Sequence, residues 1–595
     1  MEIPRTKIEK FVAELVEMCT VSQRDRIQRG LVYRNYALYG AEQQQGAATF
    51  NKMWTYLGDL RSLMYSPVSL RFNILDPDVP SVVNEAKGRA AATKMRGLYR
   101  QSDTDTSLSA GTFWALVKGK TFIKQAWKRG NLSPSMIQPD AMGVMNEAHC
   151  KLDEDMEAFT HSFLVSPYQL ARVVWDNPKR DKIIKKAKSH MQEVRADMTT
   201  ADHGAMQIII GGLYPYQPTG QGPSAGKGIV DWMGAPSAQI DPRVADQMIR
   251  IDELWVWDDD RQGWATFQSF GKDTLIFGDT FIANKMAWDS IAKKENDDLK
   301  ALHPFGEISP NPIDGYFWGR SEVVNTMLLQ YALNKRIDGI NKMLRKQEDP
   351  PKKITGSSGV NQQAIQRFNK PGGWWVDSNP NAKLEEIVPT ITSDLWNDLH
   401  EVERMFDEMG GLPPVARGRG EAGVRGASHA ETLIRMATPR LKDSALLVER
   451  DVEGIAGLSL DLCKAYVDKK LIAWVAQQEA GVEGSEPDPL LKPPVPGQIP
   501  VYFTFGDLQE EMTVTVDSHA SSPAFQQDAR ALLFDLFKIG AIAPADMIER
   551  VDISDPEGLV AGVERREAAK AAQIQAMEQK DPEAAMKLIQ GGKKK

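Results

Sequence analysis

Apolar positions recur at helical spacing through residues 7–66, where Phe11, Leu15 and Met18 fall on one face. The same spacing returns after Pro80-Ser81, a serine suited to an N-cap, and runs to about Leu98. From Gly119 the pattern changes. Residues 121–127 alternate like a strand, Gly130-Asn131 marks a turn, and residues 135–144 and 159–165 read as further strands. Ser166-Pro167 then starts a short helix over 168–174. Residues 193–244, rich in Gly, Pro, Gln and Ser, read as an irregular excursion. Beyond them, residues 249–257, 263–270 and 274–277 predict an antiparallel meander, with turns at Asp258-Asp259-Asp260 and Gly271-Lys272-Asp273.

The central stretch carries the longest helices. Pro304, Pro310 and Pro312 lead to Gly315-Tyr316-Phe317-Trp318-Gly319-Arg320, and Ser321 caps a helix to about Lys346. Val324, Leu328, Tyr331, Ile337, Ile340 and Leu344 are expected on its buried side. At 1.5 Å per residue it would be roughly 39 Å long, and Pro350-Pro351 ends it. A small segment of strands and turns, residues 352–392, contains Pro371-Gly372-Gly373-Trp374-Trp375. A second helix starts at Ser393-Asp394 and ends at Met409, with Gly410-Gly411 as its C-cap. A Gly/Pro/Arg loop over 412–426 precedes a long helix over 428–469. A proline-rich linker, a strand pair at 501–505 and 512–516, and a helical stretch over 522–589 close the pattern, with a basic tail after it.

Composition narrows the class. The chain has 595 residues, too many for one hydrophobic core, with 42% hydrophobic and 26% charged residues, as in a soluble globular protein. A net charge of -8 argues against a protein that grips nucleic acid over its whole surface, but leaves room for a local basic feature. Cys19, Cys150 and Cys463 are few, odd in number and far apart, so a disulfide framework is not expected and folding in a reducing cytoplasm is. Neither a signal peptide nor an apolar run of the ~20 residues that span a bilayer is read from the chain.

Candidate chemistry is mostly discounted by context. Gly418-Arg419-Gly420-Glu421-Ala422-Gly423 matches the dinucleotide fingerprint, but a helix and two prolines precede it where the fingerprint needs a strand. Gly222-Pro223-Ser224-Ala225-Gly226-Lys227-Gly228 is one residue short of a phosphate-binding loop and has Gly228 where Mg²⁺ needs a hydroxyl. Asp258, Asp260 and Gly263 suggest a calcium loop, yet Ser269 stands where the closing Glu is required. His149-Cys150 lacks two further ligands at metal spacing, so no metal and no cofactor are expected. No nucleophile elbow or zinc helix is present, and the chain reads as non-enzymatic. Two features remain. The helix 393–409 is acidic, with Asp394, Asp398, Glu401, Glu403, Asp407 and Glu408 against Arg404, and the loop after it carries Arg417, Arg419 and Arg425 with little bulk. Alone, these read as a solvated helix face and a surface loop.

In its order of elements, however, the chain resembles the portal protein family of tailed bacteriophages. The residues that carry the resemblance are Tyr316 to Ser321 at a helix start, the helix to Lys346, the insert, the returning helix, and Gly411-Leu412-Pro413-Pro414 before Ser428 and a long helix. The resemblance implies an α+β portal fold: a wing (1–319), a stem helix (320–349), a clip (350–392), a second stem helix (393–410), a tunnel loop (411–427), a long wing helix with returning strands (428–520) and a helical crown (521–595). It further implies a homo-oligomeric ring, usually of twelve subunits, at one capsid vertex of the virion, assembled in the host bacterial cytoplasm without a membrane. Double-stranded DNA would pass through it without sequence specificity. Expected partners are the terminase large subunit, head-tail adaptor proteins, and the major capsid and scaffolding proteins. Lys352, Lys353, Trp374 and Trp375 would lie on the clip that meets terminase or adaptor. Duplex DNA carries a charge every ~1.7 Å, so a basic channel would hold it fast. A sliding channel should be acidic with a few mobile cations. Asp394, Asp398, Glu401, Asp407 and Glu408 would then line the wall, and Arg417, Arg419 and Arg425 the loop. The alternatives are a nucleotide-binding enzyme or another ring-forming head-tail adaptor.

Overall fold

The computed structural model describes residues 7–21, 23–42, 50–65, 71–75, 82–128, 130–165, 170–171, 180–187, 249–259, 263–270, 274–277, 303–348, 350, 352–355, 381, 383–386, 393–410, 439–476, 498–508, 513–517, 536–539 and 562. Three helices open the chain: α1 (Ile8–Thr20), α2 (Gln23–Tyr39) and α3 (Lys52–Met64). The buried seam of α1 is Val12, Leu15 and Cys19, one position round from the expected face, and Met18 is 55% exposed. The backbone of Cys19 lies close against Gly143, where a Cβ would stand 2.5 Å from the Cys19 carbonyl oxygen.

Strand β1 (Arg71–Leu75) leads to α4 (Val82–Gln101) and α5 (Thr104–Lys118). Helix α5 is buried on nearly every side, from Leu108 to Lys118, and therefore has no polar stripe. Strand β2 (Thr121–Lys124) is followed by the hairpin β3 (Trp127–Lys128) and β4 (Asn131–Leu132), with the expected turn at Gly130. The predicted strand over 135–144 divides at a 3-10 turn, Pro139–Ala141. Its first part, β5 (Ser135–Ile137), pairs with β2; its second, β6 (Met142–Val144), belongs to another sheet.

That other sheet is the meander. Strands β6, β7 (Ala158–Val165), β8 (Ile249–Asp258), β9 (Gly263–Phe270) and β10 (Thr274–Phe277) are antiparallel and adjacent in sequence order. Alternate residues serve opposite faces. Leu254, Val256, Ala265 and Phe267 meet Val12, Leu15 and Cys19 of α1. Phe159, Trp255 and Trp264 meet Phe305, Phe317 and Trp318. Phe305 belongs to β11 (Phe305–Ile308), which pairs with β2 and completes a three-stranded sheet.

Helix α6 (Val323–Glu348) follows, then β12 (Lys352–Thr355) and β13 (Lys383–Glu386), which pair antiparallel, and then α7 (Ser393–Gly410). Helix α8 (Pro439–Tyr466) packs against β11 and α3, with Val448, Val452, Ile455 and Ala456 in the largest core. Strands β14 (Leu471–Ala476), β15 (Gln498–Phe503) and β16 (Thr513–Asp517) follow α8. The expected pairing of the last two strands with each other is not what forms. β15 pairs with β14, while β16 crosses the chain to pair with β1. A capped 3-10 turn, Phe505–Asp507, separates them, and its buried Phe505 redirects the chain into the α4–α8 core. The chain is thus α+β, and no described helix is long and apolar enough to cross a membrane.

The contact of α4 with β1 is backbone-close at one residue. A Cβ on Gly88 would lie 2.1 Å from the Ile74 carbonyl oxygen, whereas Gly97 on the same helix has nothing within 4 Å. Gly88→Ala should therefore lower stability by about 1–3 kcal/mol. Gly97→Ala should raise it by up to about 1 kcal/mol, as read from paired urea or thermal midpoints.

Candidate functional site: a two-helix stem and its base

The 26 residues of α6 make it roughly 39 Å long. Ser321 starts it: its hydroxyl donates to the Val117 carbonyl and accepts from the Val323 N–H at 3.1 Å. The turn before it rests on the end of α5, where the Glu322 N–H donates to the Leu116 carbonyl at 2.9 Å. This approach needs glycine on both sides. Gly119 and Gly319 have φ of 95° and 65°, and a Cβ on Gly119 would stand 2.5 Å from the Trp318 carbonyl oxygen. Trp318 is buried, donates to Glu147 at 2.8 Å, and carries the Arg26 guanidinium 3.5 Å over its ring.

Helix α7 returns alongside α6, and one tyrosine ties the two ends together. The Tyr56 hydroxyl lies 3.2 Å from Glu322 Oε2, beside the start of α6, and 3.0 Å from the carbonyl of Gly410, at the end of α7. The helices are therefore antiparallel, with the β12–β13 hairpin at the far end. Around Tyr56 the N-terminus of α3 is wedged between them. Asn51 caps it, accepting from the Trp54 N–H at 3.0 Å. The Lys52 and Met53 N–H groups both donate to Gln330 Oε1 at 3.2 Å. Lys52 Nζ bonds the Glu403 carbonyl at 3.1 Å and pairs with Asp407 at 3.0 Å. Gln330 also donates to the Phe50 carbonyl at 2.7 Å.

This wedge changes the expected facing of α6 at its base. The residues turned inward are Val323, Thr326, Gln330, Leu333 and Ile340. Of the apolar positions expected inside, Ile340 is buried and Val324 and Ile337 are half-buried, while Leu328 is 70%, Tyr331 48% and Leu344 41% exposed. The physical reason at the base is the helix end of α3: its unsatisfied N–H groups require an acceptor, so a glutamine faces them and Leu328 and Tyr331 turn outward.

The acidic helix is not a uniform wall. Asp394 is exposed; Asp398 pairs with Arg336 of α6 at 2.9 Å. Glu401 and Glu408 both pair with Arg404, whose hydrogen bond holds the Glu401 carboxyl below its usual range. Asp407 turns to Lys52, at the wing end of the stem. Lys352 and Lys353 stand opposite Glu386 and Glu385 in the register of the hairpin. Arg417, Arg419 and Arg425, Trp374 and Trp375, and the glycine motif at 222–228 lie outside the described residues.

Two groups escaped the sequence pattern. Asp451 of α8 accepts from the Ser309 N–H at 2.7 Å and so fixes the strand that leads into the stem. Burial pushes its carboxyl up from 3.8 to about 7. The other is a cluster of His149, Asp153 and Asp155 on the loop between β6 and β7. Counting His and Cys alone leaves His149 without partners; carboxylates four and six positions further on supply them.

No protein-family model matches the chain, and no curated protein matches it in sequence. Among solved structures, a chain in the neck of an empty GTA particle, computed with C6 symmetry, is similar at a TM-score of 0.36 and 9% identity, over 87% of this chain and 92% of that one. That likeness is too loose to carry fold or function across.

Tyr56→Phe should lower stability by about 1–2 kcal/mol, with hydrogen exchange rising first at the ends of α6 and α7. Asp451 sets a pH dependence. Its raised pKa means the folded chain holds a proton that the unfolded chain has lost, so the contribution of Asp451 to stability is fully present below about pH 4 and is lost as pH rises towards 7. Asp451→Asn, which keeps the acceptor, should flatten that slope in melting temperatures measured between pH 4 and 8.

Proposed function

We propose that the chain is a portal-type subunit, a structural rather than catalytic component of a tailed phage-like particle. Copies of it form a ring, twelve by the family's habit, at one capsid vertex. Helices α6 and α7 are the stem and the β12–β13 hairpin part of the clip. Double-stranded DNA passes through the ring during packaging and ejection. The terminase large subunit docks on the clip first and head-tail adaptors afterwards, while capsid and scaffolding proteins surround the wing. Assembly takes place in the host bacterial cytoplasm.

One observation carries this reading: a long antiparallel helix pair, clamped at its base, that leaves large apolar side chains exposed on one helix. Leu328 and Tyr331, one turn apart, are exposed on the face of α6 opposite the fully buried Thr326 and Gln330, and Leu344 is exposed further along the other side. A single chain gains nothing from that arrangement. A second copy would cover Leu328 and Tyr331, and a head-to-tail contact that repeats by rotation closes into a ring. The charges divide between the helices. Lys335, Arg336, Lys342, Arg345 and Lys346 lie on α6, and most of the acids lie on α7. With α6 in the subunit contact, α7 offers Asp394, Asp398, Glu401 and Glu408 to passing phosphates, which repels adhesion along the wall. Arg417, Arg419 and Arg425 would supply the few mobile cations, and Asp407 would serve the stem base instead.

Negative-stain images of the purified chain should show rings with a central hole. Leu328→Asp with Tyr331→Asp should shift the chain to monomers by light scattering while circular dichroism stays unchanged. A wild-type chain that remains monomeric at high concentration would falsify the proposal.

A further inference from the structure

The loop between β6 and β7 gathers ligands that the portal reading does not use. His149 Nε2 lies 3.1 Å from Asp153 Oδ1 and 3.5 Å from Asp155 Oδ2, and the three ligand atoms lie within 4.8 Å of one another. We infer that His149, Asp153 and Asp155 bind one divalent transition-metal ion, with water completing its shell.

The ordinary alternative is a histidine–aspartate ion pair, and the geometry disfavours it. Nε2 is shielded from solvent, yet it makes no hydrogen bond to either carboxylate, because neither oxygen lies along a good N–H direction. A single imidazole proton also cannot serve two carboxylates. A cation can serve all three groups. Ligands about 2.1 Å from a metal stand about 3.0–3.4 Å apart when adjacent, in octahedral or tetrahedral geometry. The nitrogen–oxygen separation of 3.1 Å falls in that range and the one of 3.5 Å lies just beyond its upper end.

The surroundings hold the ligands in place. Between them, the Cys150 carbonyl accepts from Lys120 at 2.7 Å and the Leu152 N–H donates to Glu307 at 2.6 Å. The Leu152 carbonyl faces His303 Nε2 at 2.7 Å. Lys120 and Glu307 are themselves paired at 2.8 Å across β2 and β11. The ligand-bearing loop is thus tied on both sides of Lys151 to a buried ion pair, which supplies the outer support that metal sites use. Among the described residues, no Lys or Arg forms an ion pair with Asp153 or Asp155. One imidazole with two carboxylates suits zinc or manganese rather than calcium, which prefers a larger set of oxygen ligands.

Calorimetric titration of the full chain, first dialysed against a chelator, would test the site with ZnCl2 and separately with CaCl2. Zinc should bind one ion per chain at this site, at least tenfold more tightly than calcium. That binding should weaken at least tenfold in His149→Ala and in Asp155→Asn, two partly exposed positions whose replacement leaves the circular dichroism unchanged. Zinc binding that survives both substitutions would come from other histidines and overturn the inference. Calcium binding as tight as zinc and indifferent to His149→Ala would reduce the cluster to an acidic patch and overturn it equally.

Discussion

The N-terminal end of α3 must find acceptors for its free N–H groups where it packs between α6 and α7, and the base of the helix pair is built around that need. Gln330 answers it from α6, while the side chain of Lys52, on the same turn of α3, reaches α7 at Glu403 and Asp407. Tyr56, one turn further, meets the beginning of one stem helix and the end of the other. Because these bonds are made to both helices, α6 and α7 are fixed together at the end where they meet α3. Burying such polar groups is costly unless every one is bonded, so the arrangement resists partial rearrangement.

The same constraint has a consequence at the surface. A helix that must turn glutamine and threonine inward has only its other side for leucine and tyrosine. The exposure of Leu328 and Tyr331 on α6 is therefore an outcome of how the base is satisfied, and in the proposed reading it is the face that meets a second copy.

A second element of rigidity lies at the junction of α5 with the turn before α6. Two left-handed glycines let backbone touch backbone there, and the aromatic core of Phe305, Phe317 and Trp318 fills the space against the five-stranded sheet. The lead-in to the stem is thus fixed by sheet packing on one side and by Asp451 on the other. The loop carrying His149 hangs from the same strands through Glu307, so an ion bound there would stiffen the wing next to the stem.

Much of the element order was legible in the sequence, because periodicity and punctuation are local. The meander of β8, β9 and β10 lies where alternation and its turn residues place it, and Ser321 and Pro350-Pro351 bracket α6. What the sequence could not decide is which face of an element meets which partner. The stripe of α6 reads as a core face by period alone, and only the position of α3 shows that Gln330 is needed inside. β15 and β16 look like neighbours in sequence, but a short capped turn sends them to β14 and β1, 28 and 442 residues away at the paired positions Ala473–Val501 and Asn73–Thr515 in the register. The His149 cluster escaped because spacing rules count ligands along the chain, whereas a pinned loop folds carboxylates back onto an imidazole. Local patterns specify elements; the pairing of faces is settled by burial and hydrogen-bond satisfaction across the whole fold, where no local window reaches.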